Sequence, residues 1–222
     1  MKIFGRKKGR RLSYTKQKLV ENFLPNISLD NDKNLSHVLS LKKHLFLEFG
    51  FGHGENIIKL SVNRPNWVFI AIEPFLNGVA SLLEKIKTKN ILNVYIYHGD
   101  GRLFLRELPR NSINESCILF PDPWPKFKHE SRRIIQREFL TELSKVMTLN
   151  SLVYVSSDDQ TAQTWMLKKF FDNENFKWIV EDINQIYTKP DFLEDTKYYK
   201  KSLKDGRQAS WLKFKNKKNI DF

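Results

Sequence analysis

From position 41 onward the chain alternates between two kinds of segment, and this alternation limits its fold more than any other feature. Short apolar runs of strand composition fall at 44–48, 67–73, 94–98, 116–121 and 151–156. Segments of helical spacing lie between or after them, at 55–62, 75–89, 102–108, 130–147 and 161–173. Strand followed by helix at this interval predicts a parallel sheet with helices on both faces. Two further strands are expected at 178–187 and 208–215, with no helix between them, paired antiparallel at one edge across the polar stretch 188–207. The expected fold is therefore α/β and doubly wound, with a mostly parallel seven-stranded sheet and an antiparallel edge pair. Ahead of it, 16–24 has helical spacing and 25–34 reads as a polar, turn-rich link. These boundaries give a basic arm and short helix over 1–34, one domain over 35–218 and a tail at 219–222. The lone Cys117 excludes an internal disulfide and a multi-cysteine zinc cluster. No apolar run approaches the roughly 20 residues that span a bilayer, so the expectation is a soluble, cytoplasmic protein with no membrane partner, monomeric or homodimeric.

The net charge of +13 is unevenly placed. Residues 1–18 hold eight Lys or Arg and no acid; residues 196–218 hold nine against Asp205. A third basic stretch, 123–145, has six against three acids, which leaves the rest of the chain at −6. A neutral to acidic body with basic ends suits a polyanion contacted from several directions, nucleic acid first. Solvated tails are the plainer alternative. Phe4 and Tyr14, interleaved with the first cations, favour contact with nucleobases.

Directly after the first strand stand Glu48, Phe49, Gly50, Phe51, Gly52, His53 and Gly54, and a helix begins at Glu55. Glycines at a strand-to-helix turn let the backbone bend sharply and a ligand come close. The dinucleotide fingerprint would need a third glycine at position 55, so Glu55 argues against a nicotinamide cofactor, and no phosphate-cradling G-x-x-x-x-G-K-[ST] is present. An acid at the strand end before G-x-G-x-G suits a ligand with a cationic amino group, and S-adenosylmethionine is such a ligand. The second strand ends at Glu73, placed to accept from ribose hydroxyls, and the third is followed by Asp100, near the adenine. Each acid alone has a helix-capping or surface alternative; the three in succession describe an adenosine site.

The fourth strand runs into Pro121, Asp122, Pro123, Trp124, Pro125 and Lys126. Prolines around an acid fix the backbone and hold carboxylate and indole rigidly. The aromatic can stack on a base while the acid contacts a ring N–H; Lys126, Lys128, His129, Arg132 and Arg133 follow, placed to grip phosphates. A rigid turn without chemistry is the alternative. Cys117 reads as core, Trp165, Met166, Phe170 and Phe171 as one buried helix face, and Trp178 and Trp211 as packing residues. The scattered histidines have no metal-ligand spacing.

These residues resemble the bacterial tRNA (guanine-N7-)-methyltransferases over nearly the whole chain, most specifically through P-D-P-W-P-K and the basic segment after it. The L-E-F-G-F-G-H-G-E turn is shared more loosely with many methyltransferases. The resemblance implies a Rossmann-like methyltransferase fold, S-adenosylmethionine as cofactor, no metal, and tRNA guanine 46 as substrate. It implies that Glu48, Gly50, Gly52, Gly54, Glu73, Asp100 and Asp122 line the cofactor site, with Asp122 also catalytic. Lys126, Asp158, Thr196, Lys197, Tyr198 and Tyr199 are the implied substrate contacts. The family's T-[KR]-[FY]-E signature departs at its last position, where Tyr199 replaces the carboxylate. Two rival readings are a methyltransferase of exocyclic amino groups, which also uses an acid-Pro-aromatic turn, and a catalytically silent RNA-binding protein.

Overall fold

The computed structural model describes residues 9–217. Lys2, Phe4, Arg6, Lys7 and Lys8 of the basic arm, Lys218 and the tail lie outside the described residues. The chain divides into two compact units, the first running through Phe104 and taking in Phe192–Asp195, the second formed by Leu105–Asp191 and the chain from Thr196 on.

In the first unit, α1 (Tyr14–Asn22), α2 (Leu24–Ile27) and α3 (Asp32–Ser40) precede β1 (Leu45–Phe49), α4 (Glu55–Asn63), β2 (Val68–Ile72), α5 (Leu76–Lys89), β3 (Val94–Tyr97) and the single turn α6 (Gly101–Phe104). β1 and β2 are buried at every position, as expected of parallel strands covered on both faces. They pair in parallel from Leu45 with Val68 to Phe49 with Ile72, and β2 pairs in parallel with β3. Where a polar link was expected at 25–34, the chain forms α2 and the start of α3, whose cap Asn31 accepts from the backbone N–H groups of Lys33 and Asn34. Their apolar residues are too few for a periodic signal, and capping carries the helix instead.

The second unit contains β4 (Ile113–Leu119), α7 (Arg137–Val146), β5 (Met147–Ser157), α8 (Gln160–Phe171), β6 (Phe176–Trp178), α9 (Lys197–Lys204) and β7 (Ser210–Asn216). β4 and β5 are parallel; β7 runs antiparallel to both β5 and β6. The strand order is β3-β2-β1-β4-β5-β7-β6, a doubly wound, mostly parallel sheet with the expected antiparallel strand near one edge.

Four expectations need correction here. The sixth strand is 176–178 rather than 178–187, because the chain leaves the sheet after Trp178 and makes a 3-10 turn at Ile183–Tyr187. A helix, α9, stands where none was expected. The helix expected from 130 begins only at Arg137, since Phe127–Arg132 is a 3-10 turn and Arg133 is extended. On α8, Met166 and Phe170 are buried as expected, but Phe171 is 61% exposed and meets Trp178 edge-on at 5.4 Å. Cys117 is fully buried in β4.

Candidate active site

Gly50, Gly52 and Gly54 all adopt left-handed backbone conformations, with φ of 71°, 59° and 82°. A side chain is strained in that region, which is why the turn requires glycine. Open space faces Gly50 and Gly52, whereas Gly54 lies against Leu82 and caps α4. The turn is tied to the strand beside it: Gly50 N–H donates to Ile72 O at 2.8 Å, and Gly52 N–H to Glu73 Oε2 at 2.9 Å. Glu73 Oε1 accepts from Phe75 N–H at 3.0 Å, so one carboxylate spans the glycine turn and the entry to α5. Gly78 of α5 comes so near that a Cβ there would lie 2.1 Å from Gly52 O. Lys85 completes the frame, donating to His53 O at 2.6 Å and pairing with Glu55 at 3.4 Å.

Glu48 is 2% exposed. Burial pushes its carboxyl up to about 8, with the nearby Glu55 and Glu73 charges adding to the rise and the Asn56 hydrogen bond opposing it. Asn56 is a residue that periodicity hid, a polar side chain on the inward face of α4. Its Nδ2 donates to Glu48 Oε2 at 3.2 Å, and its Oδ1 accepts from the Glu194 N–H at 3.0 Å. Lys59 Nζ likewise donates to Leu193 O at 3.0 Å, which fastens Phe192–Asp195 to this unit. Asp100 is buried after β3 and forms a two-pronged ion pair with Arg102, Oδ2 to Nη2 at 2.6 Å and Oδ1 to Nε at 2.9 Å. Sequence reasoning gave Asp100 no such partner. The glycine turn is thus hydrogen-bonded to Ile72 and Glu73, while Glu48 lies buried against Asn56 of α4. A buried acid for a cationic amino group and an open glycine turn fit S-adenosylmethionine.

In the second unit, β4 leads into Pro121–Lys126. Phe120 and Trp124 flank Asp122 with φ of 51° and 43°, conformations that bulky residues adopt at a cost of roughly 1–3 kcal/mol each. Phe120 N–H donates to Ser156 O at 2.9 Å on one side. On the other, Arg133 donates from Nε to Pro123 O and from Nη2 to Trp124 O, both at 3.0 Å. Arg133 is only 4% exposed and lies over the Trp165 ring at 4.4 Å, so the expectation that it grips phosphate is overturned. Lys126, Phe127 and Lys128 remain exposed, with Phe127 85% exposed. Arg132 stacks on Trp124 at 4.9 Å, and His129 meets the same ring edge-on at 5.5 Å. Desolvation, and then the Arg132, Lys128 and Lys126 charges, hold His129 below the usual histidine value. Asp122 reaches solvent at the rim, yet the protein on its other side desolvates the carboxyl enough to raise it above the ordinary aspartate value.

The remaining expected contacts also lie in this unit. Asp158 is ion-paired to Arg207 at 2.8 Å. Thr196 caps α9, its Oγ1 accepting from Tyr199 N–H at 3.2 Å; Lys197 and Tyr198 are exposed. Tyr199, where the resemblance implied a carboxylate, packs its ring 6.0 Å from Phe120 and 5.2 Å from Trp211. Among the described residues no group of three or more His, Cys, Asp or Glu is placed to hold a metal ion, and no helix is long and apolar enough to cross a membrane.

Residues 42–212 match a family described as "Putative methyltransferase". The chain is 34% identical to a tRNA (guanine-N(7)-)-methyltransferase of Wolbachia pipientis wMel over 87% of this chain and 85% of that protein. It is 32% identical to one from Rhizobium johnstonii over 96% and 94%. Among solved structures, the 16S rRNA methyltransferase KamB shares the fold at 13% identity, with a TM-score of 0.59 over 84% of this chain and 93% of that one. A precorrin-6y C5,15-methyltransferase from Geobacter metallireducens does so at 13% identity, with a TM-score of 0.54 over 89% and 92%. With this glycine turn, this strand order and likeness over almost its full length, the chain belongs to the tRNA (guanine-N(7)-)-methyltransferase family.

Proposed function

We propose that the protein transfers the methyl group of S-adenosylmethionine to N7 of guanine 46 in the variable loop of tRNA, in the cytoplasm. The observation that carries this reading is the clamped Pro121–Lys126 turn, in a chain whose relatives are named for N7 methylation of tRNA guanine. When bound, the cofactor supplies an electrophilic methyl group on a sulfonium. Glu48 would give up its buried proton on binding and pair with the cofactor's cationic amino group, the turn at Gly50 and Gly52 would admit the ligand close to the backbone, and Glu73 would accept from the ribose. Asp100, held by Arg102, flanks the adenine.

Guanine N7 carries an unprotonated lone pair, so no general base is needed at the nucleophile, and in-line positioning is the main source of rate. Positive charge moves onto the purine during transfer. Ionised Asp122 stabilises that charge or accepts from the guanine N1 and N2 donors, and Trp124 supplies an aromatic face. Lys126, Asp158, Thr196, Lys197 and Tyr198 contact the RNA. The packed ring of Tyr199 gives it a supporting role in place of the carboxylate's.

The test uses methyl-labelled S-adenosylmethionine and unmodified tRNA transcripts, followed by borohydride reduction and aniline scission, which cleaves at N7-methylguanine. Scission at the variable-loop guanine, lost in Asp122→Ala while cofactor affinity persists, is the expected result. Label incorporated without scission would assign the chemistry to an exocyclic amino group. Equal loss of turnover and cofactor binding in Asp122→Ala would remove Asp122 from catalysis.

A further inference from the structure

The Pro121–Pro125 turn is short of its own hydrogen-bond donors. Its three prolines have no N–H, so only Asp122 and Trp124 can donate, and the turn cannot close on itself as an ordinary loop does. Its carbonyls need donors from elsewhere, and two of them find one guanidinium. Arg133 reaches Pro123 O and Trp124 O at 3.0 Å each, with two different nitrogens. The guanidinium is itself held in place, 4.4 Å from the Trp165 ring and 3.5 Å from Glu130 Oε1. Trp165 is anchored in turn by its Nε1–H to Ile135 O at 2.8 Å. The carbonyl of Trp124, a residue in the left-handed region, is thus fixed by a buried, permanently charged, planar donor. The other cations of this basic stretch do something different: Lys126 and Lys128 are exposed, and Arg132 lies on the Trp124 ring.

We propose that Arg133 is the positioning residue of this turn: it sets Asp122 and Trp124 for the guanine through their backbone and does not touch the RNA. The proposal rests on the reading of Asp122 and Trp124 given above. A lysine keeps the charge but offers a point donor rather than a fork, and cannot serve both carbonyls in the same plane.

The test is Arg133→Lys in the full chain, with cofactor and tRNA affinities measured alongside single-turnover methyl transfer at saturating substrates. The expected result is a rate lowered by about 100-fold, the scale set by a misplaced reacting group, with both dissociation constants within about threefold of wild type. In an Asp122→Ala background the same substitution should cost little further rate, because both changes remove one function. A separate reading needs no activity: with 5-fluorotryptophan incorporated, the Trp124 fluorine resonance, assigned through Trp124→Phe, should shift in Arg133→Lys while that of Trp67 does not. Three results would overturn the proposal. One is weaker tRNA binding with a salt slope reduced by about one and an unchanged rate at saturation, the mark of a phosphate contact. The second is an equal rate loss with and without Asp122. The third is an unmoved Trp124 resonance. Wild-type protein that methylates no tRNA would instead overturn the functional reading, and the fluorine signal would still decide what Arg133 holds.

Discussion

A single methyl group separates glycine from alanine, and at position 78 there is no room for it. The Cβ of Gly78→Ala would press on Gly52 O at 2.1 Å, backbone against backbone, so the glycine turn or α5 must move. Overpacking of this kind costs roughly 1–3 kcal/mol; the expected outcome is a lower melting temperature and cofactor affinity reduced by about tenfold or more, checked by calorimetry. Glu48 makes a prediction of opposite character. Its carboxyl titrates near 8 in the fold against an ordinary 4.5, so the folded protein holds a proton there that the unfolded chain gives up. The stabilisation from that proton is complete below 4.5 and lost as pH rises through 8. Glu48→Gln should therefore match wild-type stability near pH 4.5, exceed it increasingly as the pH rises to about 8 and keep that margin above it, in denaturant titrations; a constant difference from pH 4.5 to 8 would contradict the assignment. Glu48, the glycines and Glu73 were legible in the sequence because their roles follow from position along one strand and turn. Asn56 and Arg133 were not, because what they touch lies on other elements, and residue type alone did not separate Arg133 from the cations around it; Arg102 was not, although Asp100 is only two residues away, because nothing in the residue types marks the pair.

At the scale of elements, α9 shows where periodicity fails. Its only buried residue is Ser202, so no apolar stripe marks it. What holds it is the Thr196 cap at its start and the Tyr199 ring against Phe120 and Trp211. Thr196→Ala should cost about 1 kcal/mol by loss of the cap. Tyr199→Glu, which restores the family carboxylate, should also destabilise, since a charge replaces an aromatic contact. Chemical denaturation of both variants provides the check. β1 and β2 were readable because parallel strands buried on both faces are continuous apolar runs, and the turn residues after them are strong signals. β6 was misplaced because the apolar residues at 179–187 look like strand continuation, but after Trp178 the chain turns away into the 3-10 turn at Ile183–Tyr187, with Ile183 and Tyr187 largely exposed. α7 was expected too early because the basic segment before it has helical composition, whereas its backbone makes a 3-10 turn and Glu130 O and Arg133 O accept from the Gln136 side chain instead.

For the whole molecule, the dominant property is the +13 charge. Neutralising about five phosphates should give a log–log salt slope of roughly −4 for tRNA binding. Deleting residues 1–8, which removes Lys2, Arg6, Lys7 and Lys8, should flatten that slope while leaving transfer from saturating RNA intact. A binding curve indifferent to salt would rule out the polyanion reading. The described end of the arm is already seated, with Arg10 O accepting from Asn77 Nδ2 at 2.7 Å and Lys16 paired to Glu84 at 3.2 Å.

Phe192–Asp195 gives the first unit a timetable. Asn56 and Lys59 take up the backbone of Glu194 and Leu193, 138 and 134 residues further along. At roughly 5–20 residues per second of synthesis, those partners leave the ribosome about 7–30 s after α4 has been made. During that interval Asn56, the residue that braces Glu48, is missing its Glu194 partner, so the nascent chain assembles the glycine turn long before it can finish the acid beneath it. Completion waits until nearly the whole protein exists, and a truncated chain ending before Leu193 lacks this brace.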